Sequence, residues 1–181
     1  IIEVGLEPGE NDALASRELP THRAVYKSSS AKAIIHAHGA NAIAISLTDN
    51  KIVPQDSEGL FIYKAAPIVR VRDGVGSEET VRLLPSFLGK ENVIAVVKGH
   101  GSFSVGQSLE EAYRYTSCLE NSCRIIVAVR ASSGRSSTPS SPISNSPKPM
   151  SRPMRGDKPG GYRSAIPPGI GVMDRSRNRN R

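Results

Sequence analysis

Three of the four histidines in this sequence stand at the ends of apolar runs, where their imidazoles could take part in chemistry. His36 and His38 close residues 33–38, a run typical of a buried strand. Because alternate side chains of a strand share one face, these two imidazoles are predicted to lie a few ångströms apart. His100 follows a second buried run, residues 92–97, and its flanking glycines allow a sharp turn.

If the two strand ends are neighbours, three neutral imidazoles converge on one place. A zinc ion with three protein ligands and one open position is a catalytic arrangement. Each motif has a plainer explanation, since polar residues often end strands and a Gly-His-Gly is more often a turn than a ligand. The occurrence of all three histidines at the ends of apolar runs favours a metal site. The fourth, His22, lies in a predicted short helix, where packing or capping is the favoured role.

Glu18 is a carboxylate whose role the spacing leaves open. It lies just before the short helix, residues 20–27, and an acid at that position usually compensates the helix dipole. The alternative is a carboxylate aimed at the metal, able to coordinate it or to transfer a proton. Sequence spacing alone favours neither role.

Helices and strands are predicted to alternate along residues 1–131. The helices are residues 20–27, 41–47, 77–88 and 108–129, and the strands are residues 33–38, 52–54, 67–71 and 92–97. Ser108 and Glu111 fit a capping box at the start of the last helix. This alternation indicates an α/β layered domain, and its core must be aliphatic because aromatic residues make up 4% of the chain and Trp is absent.

The C-terminal part of the chain differs in composition from the rest. Residues 132–181 hold 11 Ser, 8 Pro, 6 Gly and 10 Lys or Arg, whereas residues 1–131 carry 14 basic and 15 acidic groups. A segment of the first composition cannot bury enough apolar surface to fold. We therefore predict one domain, residues 1–131, and a disordered Ser/Pro/Arg-rich tail, residues 132–181.

The net charge of +7 therefore belongs to the tail. Its basic groups could bind phosphates electrostatically, but Tyr162 alone could stack on a base, so specific nucleic-acid binding is not expected. A genuine extension and a sequence read out of frame both explain the composition of the tail. We prefer the second, because no function requires that composition.

Other features exclude further protein classes. No apolar run approaches the ~20 residues that a membrane-spanning helix needs, so no membrane contact is expected. The N-terminus lacks the basic and apolar regions of a signal peptide. Cys118 and Cys123 lie five residues apart in one helical pattern, which suits neither a disulfide framework nor a zinc knuckle. Reduced thiols in a cytoplasmic protein are the expected interpretation.

The motifs and their order resemble those of the class II aldolase/adducin family, above all its L-fuculose-phosphate aldolases. The similarity covers roughly residues 14–130 and is more specific than any single motif. It is carried by Ser-Arg-Glu-Leu-Pro-Thr-His-Arg-Ala-Val-Tyr (residues 16–26), Ala-Ile-Ile-His-Ala-His (33–38), Val-Pro-Gln-Asp-Ser-Glu-Gly (53–59), Gly-His-Gly (99–101) and Gly-Gln-Ser-Leu-Glu-Glu-Ala-Tyr (106–113). The resemblance implies a three-layer class II aldolase-like fold, in which a central β-sheet lies between helices.

The resemblance also implies roles for the candidate residues. His36, His38 and His100 would be the imidazole ligands of one catalytic Zn²⁺ per subunit. Glu18 would be the catalytic carboxylate, which ligates the resting metal and then moves off to act as acid and base. The expected reaction is the cleavage of L-fuculose 1-phosphate, or a related ketose 1-phosphate, to dihydroxyacetone phosphate and L-lactaldehyde through a metal-stabilised enediolate.

Substrate binding and assembly are implied in the same way. Ser16 takes the position of a phosphate-binding serine, and Arg17 stands where the family often has a second serine. The aldolases of the family form tetramers with tyrosines near the substrate, but neither Tyr63 nor Tyr113 can be matched to that role. The family normally has a segment before Ile1 that contributes to the substrate site, so the domain is expected to be N-terminally truncated.

Several functions share these features. A pentulose-phosphate 4-epimerase or a methylthioribulose-phosphate dehydratase of the same family would use the same three histidines. A non-catalytic scaffold like the adducin head would keep the fold without the metal site, and the intact histidines argue against it. Metal content and a substrate panel separate these possibilities.

Overall fold

A computed structural model describes residues 1–89 and 91–133 of the chain. The strands are β1 (Ala33–Ala37), β2 (Lys51–Ile52), β3 (Ala66–Val69), β4 (Ile94–Val97) and β5 (Gly101–Gly106). The α-helices are α1 (Leu19–Ser28), α2 (Ala40–Thr48), α3 (Ser57–Ile62), α4 (Glu78–Leu83) and α5 (Leu109–Ser133). Two 3-10 helices, Glu10–Leu14 and Leu84–Phe87, precede α1 and follow α4.

The five strands form one mixed sheet in the order β1-β5-β4-β3-β2. Strand β5 is antiparallel to both of its neighbours, β1 and β4, while β3 and β4 are parallel. In the β1–β5 register, His36 lies opposite Phe103 and Ala37 lies opposite Ser102. This register places the end of β1 beside the start of β5.

Each face of the sheet is covered by helices, which confirms the predicted three-layer α/β fold. On one face, α2 and α5 pack their apolar side chains, among them Ile45 and Leu119, on Ile94 and Val96 of β4. On the other face, Val25 of α1 and the second 3-10 helix pack on the opposite side of β4 and on Phe103 and other residues of β5. The central strands β4 and β5 are therefore buried on both sides, as a sheet between two helical layers requires.

Most of the predicted elements are present, with α1, β1, α2, β4 and α5 close to their expected bounds. The predicted helix over residues 77–88 is shorter, because α4 ends at Leu83 and a 3-10 helix that contains Pro85 replaces its second half. Proline has no N–H for an α-helical hydrogen bond, which explains the change. Strand β5 and helix α3 were not among the elements predicted from the sequence.

Helix α5 begins with the predicted capping interaction, since the Glu111 N–H donates to Ser108 Oγ at 3.2 Å. The Glu111 carboxylate turns back to accept from the Gln107 N–H at 2.6 Å, one residue before the expected partner. The helix continues to Ser133, two residues beyond the predicted domain boundary. The rest of the predicted tail lies outside the described residues. Within those residues, none of the helices combines the length and the apolar character that crossing a membrane requires.

The two leucines of α5 allow a direct test of the packing. Leu119 is 1% exposed, whereas Leu109 is 63% exposed. We expect Leu119→Ala to lower the free energy of unfolding by about 2–5 kcal/mol, because it leaves a cavity between α5 and the sheet. The matched variant Leu109→Ala should stay within about 0.5 kcal/mol of the parent. Urea denaturation followed by circular dichroism measures both, and equal losses would show that α5 does not pack as described.

Candidate metal centre

The pairing of β1 with β5 brings three histidines together. His36 and His38 come from the end of β1, and their ring centroids lie 4.7 Å apart on one face, as strand alternation predicts. His100 lies in the turn between β4 and β5, with its ring 4.8 Å from that of His36 and 4.9 Å from that of His38. One ligand nitrogen from each residue lies within 4.8 Å of the others.

Gly101, the first residue of β5, makes room for this cluster. A Cβ atom at that position would lie 2.6 Å from the Ala37 carbonyl oxygen, 2.8 Å from His38 Cδ2 and 3.0 Å from His36 Cε1. Those separations are too short for real side-chain contacts, so any residue larger than glycine would displace the rings or separate the strands. The glycine that follows His100 therefore serves the close approach of β1 and β5.

His36 is held in one tautomer by the backbone of β5. Its Nδ1–H donates to the Ser102 carbonyl oxygen at 3.0 Å, which leaves the Nε2 lone pair free. Nε2 lies 2.8 Å from Nε2 of His38. Burial lowers the pKa of His36 to about 4, so the ring is neutral near pH 7, the form that binds a metal.

The Glu18 carboxylate lies beside His100. It precedes α1 directly but makes no side-chain capping hydrogen bond to that helix. Instead, Glu18 Oε1 accepts from the Gly76 N–H at 2.7 Å and lies 3.7 Å from Nε2 of His100. Glu18 is only 4% exposed. The sequence alone left open whether this carboxylate compensates the dipole of α1 or faces a metal. Its position favours a function in the histidine cluster.

Two buried polar atoms at this site have no hydrogen-bond partner among the described residues, Oε2 of Glu18 and Nδ1 of His100. Leaving such groups unsatisfied in the interior is costly, and a bound ion is one way to offset the cost. Three imidazoles and a carboxylate are the nitrogen and oxygen donors that zinc prefers. The residues present therefore fit a divalent metal ion.

The remaining predicted residues lie around this cluster. Ser16 is exposed, and its Oγ accepts from the Glu18 N–H at 3.2 Å, which fixes the backbone before α1. Arg17 is also exposed, and the phosphate contacts expected of both residues stay predictions. His22 packs its ring edge-on against Phe103 at 5.8 Å, and burial lowers its pKa, in keeping with a packing role.

The loop between β3 and α4 is the part of the site that sequence reasoning missed. It supplies the Gly76 N–H to Glu18, and Gly74 in the same loop packs against the His100 side chain. Two closely spaced glycines directly before a helix-capping serine, Ser77, are the signal in the sequence that marks this loop as tightly packed.

Solved structures with similar folds include enzymes. The chain is similar to L-fuculose-1-phosphate aldolase from Thermus thermophilus, with a TM-score of 0.70 and 32% identity, over 77% of this chain and 72% of that one. It is also similar to YgbL from Klebsiella pneumoniae, with a TM-score of 0.57 and 28% identity, over 62% of this chain and 56% of the other.

By sequence, the chain is similar to alpha-adducin from Rattus norvegicus, with 32% identity over 114 residues. That match takes in 62% of this chain but only 15% of the adducin, so the chain spans a small part of the length of this relative. Residues 1–127 match the Class II Aldolase and Adducin N-terminal domain. This match covers well over half of the chain, and the chain therefore belongs to the class II aldolase and adducin family.

Proposed function

We propose that this chain is a zinc-dependent aldolase that cleaves L-fuculose 1-phosphate or a related ketose 1-phosphate to dihydroxyacetone phosphate and L-lactaldehyde. The observation that carries the proposal is the convergence of His36, His38 and His100 beside the buried carboxylate of Glu18. A protein that only scaffolds has no need for three imidazoles and an acid at one point. The similarity to the Thermus aldolase supports the choice of substrate class.

His36, His38 and His100 would hold the zinc ion, and Glu18 stands within reach of the same place. When bound, zinc supplies an electrophile that withdraws charge from a carbonyl group next to the breaking carbon–carbon bond. The protein keeps His36 neutral by burial and orients its ring through the Ser102 carbonyl oxygen. These two features prepare the ligand before any metal arrives.

Glu18 is suited to move the proton of the reaction. Cleavage of a carbon–carbon bond beside a carbonyl leaves a carbanion, which must receive a proton to give dihydroxyacetone phosphate. In the reverse condensation the same group removes that proton. The Gly76 N–H binds Oε1, and Oε2 is without a partner among the described residues, so one oxygen anchors the carboxylate while the other is available to carry the proton.

Ser16 and Arg17 are the proposed phosphate ligands. Both are exposed on the segment that leads into Glu18, so a phosphate bound there would lie at the edge of the site. We further propose a homo-oligomer, a tetramer by family resemblance, and a cytoplasmic location, with which the two free, buried cysteines are in keeping.

Two other classes of function are candidates, another enzyme of the same family and a non-catalytic protein. A pentulose-phosphate epimerase or a methylthioribulose-phosphate dehydratase would use the same metal ligands and differ only in substrate. A non-catalytic role is favoured by the similarity to alpha-adducin and disfavoured by the intact histidine cluster. Substrate and metal measurements therefore test different parts of the proposal.

The aldol reaction itself tests the substrate class. We expect the zinc-loaded protein to release dihydroxyacetone phosphate from L-fuculose 1-phosphate, which a coupled glycerol-phosphate dehydrogenase assay follows through NADH. A panel with L-ribulose 5-phosphate and methylthioribulose 1-phosphate is the comparison. Turnover of a panel substrate with no release of dihydroxyacetone phosphate would assign another reaction of the family. No turnover of any substrate by metal-loaded protein would favour the non-catalytic role.

The histidine variants test the metal ligands. We expect His36→Ala, His38→Ala and His100→Ala each to lower the zinc content from one ion per chain to near zero, because removing one of three ligands opens the site. Zinc is measured by plasma emission spectrometry on protein purified without chelator. His22→Ala is the matched control, since His22 packs on Phe103 outside the cluster, and it should retain the ion. Equal zinc contents in all four variants would rule out this ligand set.

Glu18→Gln tests the proton-transfer role. The variant should retain zinc and lose turnover by about 10²–10⁴-fold, the range typical of a general acid or base. Glu10→Gln, which changes an exposed carboxylate, is the control and should match the parent. If Glu18→Gln binds zinc and turns over at the parental rate, Glu18 has no part in proton transfer.

A further inference from the structure

The Glu120 carboxylate of α5 binds the corner between β1 and α2. This corner, residues 38–42, includes His38, the exposed one of the three proposed metal ligands. Glu120 Oε1 accepts from the backbone N–H of Asn41 at 3.0 Å and from Asn41 Nδ2 at 2.7 Å. Its second oxygen, Oε2, accepts from the Ala42 N–H at 3.1 Å. These two N–H groups belong to the first turn of α2, which has no partner for them within the helix.

The contact lies directly after the ligand. His38 is followed by Gly39 and then by the first residue of α2, so the N-terminus of α2 fixes the backbone that leaves His38. Glu120 approaches this corner closely, since a Cβ atom at Gly39 would lie 2.4 Å from Glu120 Oε2. The corner therefore has little room to move as long as the carboxylate is in place.

His38 needs such support more than the other two histidines do. The His36 ring is fixed by the Ser102 carbonyl oxygen and stacks on Phe103, and His100 is 9% exposed against Glu18 and Gly74. His38 is exposed, and the hydrogen-bonding contact of its Nε2 is with another ligand, His36. Its position is set by its backbone, which makes the corner after β1 decisive for the ligand.

We propose that Glu120 is a positioning residue for the metal centre, which holds His38 in place by capping α2. The inference rests on the proposed metal site. A carboxylate suits this task because negative charge at a helix N-terminus is favourable and hydrogen bonds to an ionised acceptor are strong. His38 and Glu120 both line a groove of about 580 Å³, which is open to solvent on this side of the corner.

Helix α2 also offers a matched control at its other end. Asp49, at the C-terminal cap of α2, forms a two-pronged ion pair with Arg130 of α5, with separations of 3.1 and 2.6 Å. Glu120 and Asp49 thus both attach α2 to α5 through charged hydrogen bonds. Only Glu120 is near a histidine of the cluster, so the pair separates a local effect on the metal from general weakening of this helical layer.

The experiment compares Glu120→Gln with Asp49→Asn in the full chain. Zinc dissociation constants are measured by competition with a chromophoric chelator, and melting temperatures are measured on metal-free protein. We expect Glu120→Gln to weaken zinc binding about 10–100-fold, the loss typical when a group that orients a ligand is removed. Asp49→Asn should keep the parental zinc affinity while it lowers the melting temperature. Asn41→Ala, which removes one of the three hydrogen bonds, should fall between the parent and Glu120→Gln and serves if that variant fails to fold.

Equal zinc affinities of Glu120→Gln and Asp49→Asn, whether both parental or both weakened, would overturn the inference. If Glu120→Gln does not fold, Asn41→Ala is measured instead, and a parental zinc affinity in that variant would also overturn the inference. If the parent itself binds no zinc, the proposed metal site fails together with the inference. A parent that binds zinc and a Glu120→Gln variant that binds it equally well overturn the inference alone.

Discussion

The antiparallel pairing of β1 with β5 is the constraint on which the site depends. It places His36 and His38, at the end of one strand, beside the turn that carries His100, although these residues are more than 60 positions apart in the chain. Gly101 keeps this end of the pairing open, because a side chain there would meet the Ala37 carbonyl oxygen and the rings of His36 and His38. A change in this register would move the two strand ends apart and separate the three histidines.

Contacts from the helices and loops then position Glu18 and the backbone after His38 at this end of the sheet. On the α1 side, the loop before α4 draws the Glu18 carboxylate away from its own helix and towards His100 through the Gly76 N–H. On the opposite side, α5 caps α2 through Glu120 and so supports the chain just after His38. Both helical layers thus act on one end of the sheet. These contacts accompany three potential metal ligands and a nearby carboxylate at that end of the sheet.

Local sequence signals predict where the histidines lie on the strands, but they do not predict the contacts that orient the rings. The strands β1 and β4 show continuous apolar runs, and alternation alone places His36 and His38 on one face. Strand β5 has no such run, because Ser102 and Ser104 occupy buried positions where hydrogen bonds to Ala37 and Thr116 satisfy them. Long-range partners such as Gly76 for Glu18 leave no periodic trace in the sequence, so only the fold reveals them. The resemblance to the family rests on the order of the motifs along the chain, which hydrophobic periodicity does not indicate.

The zinc K-edge X-ray absorption spectrum of the chain loaded with one equivalent of zinc tests the central claim most directly. We expect a first shell of nitrogen and oxygen atoms with the multiple-scattering features of three imidazoles. Sulfur in the first shell, from Cys118 or Cys123, or fewer than three imidazoles would contradict this expectation. Either result would mean that the three rings at the end of β1 and the start of β5 do not share one ion.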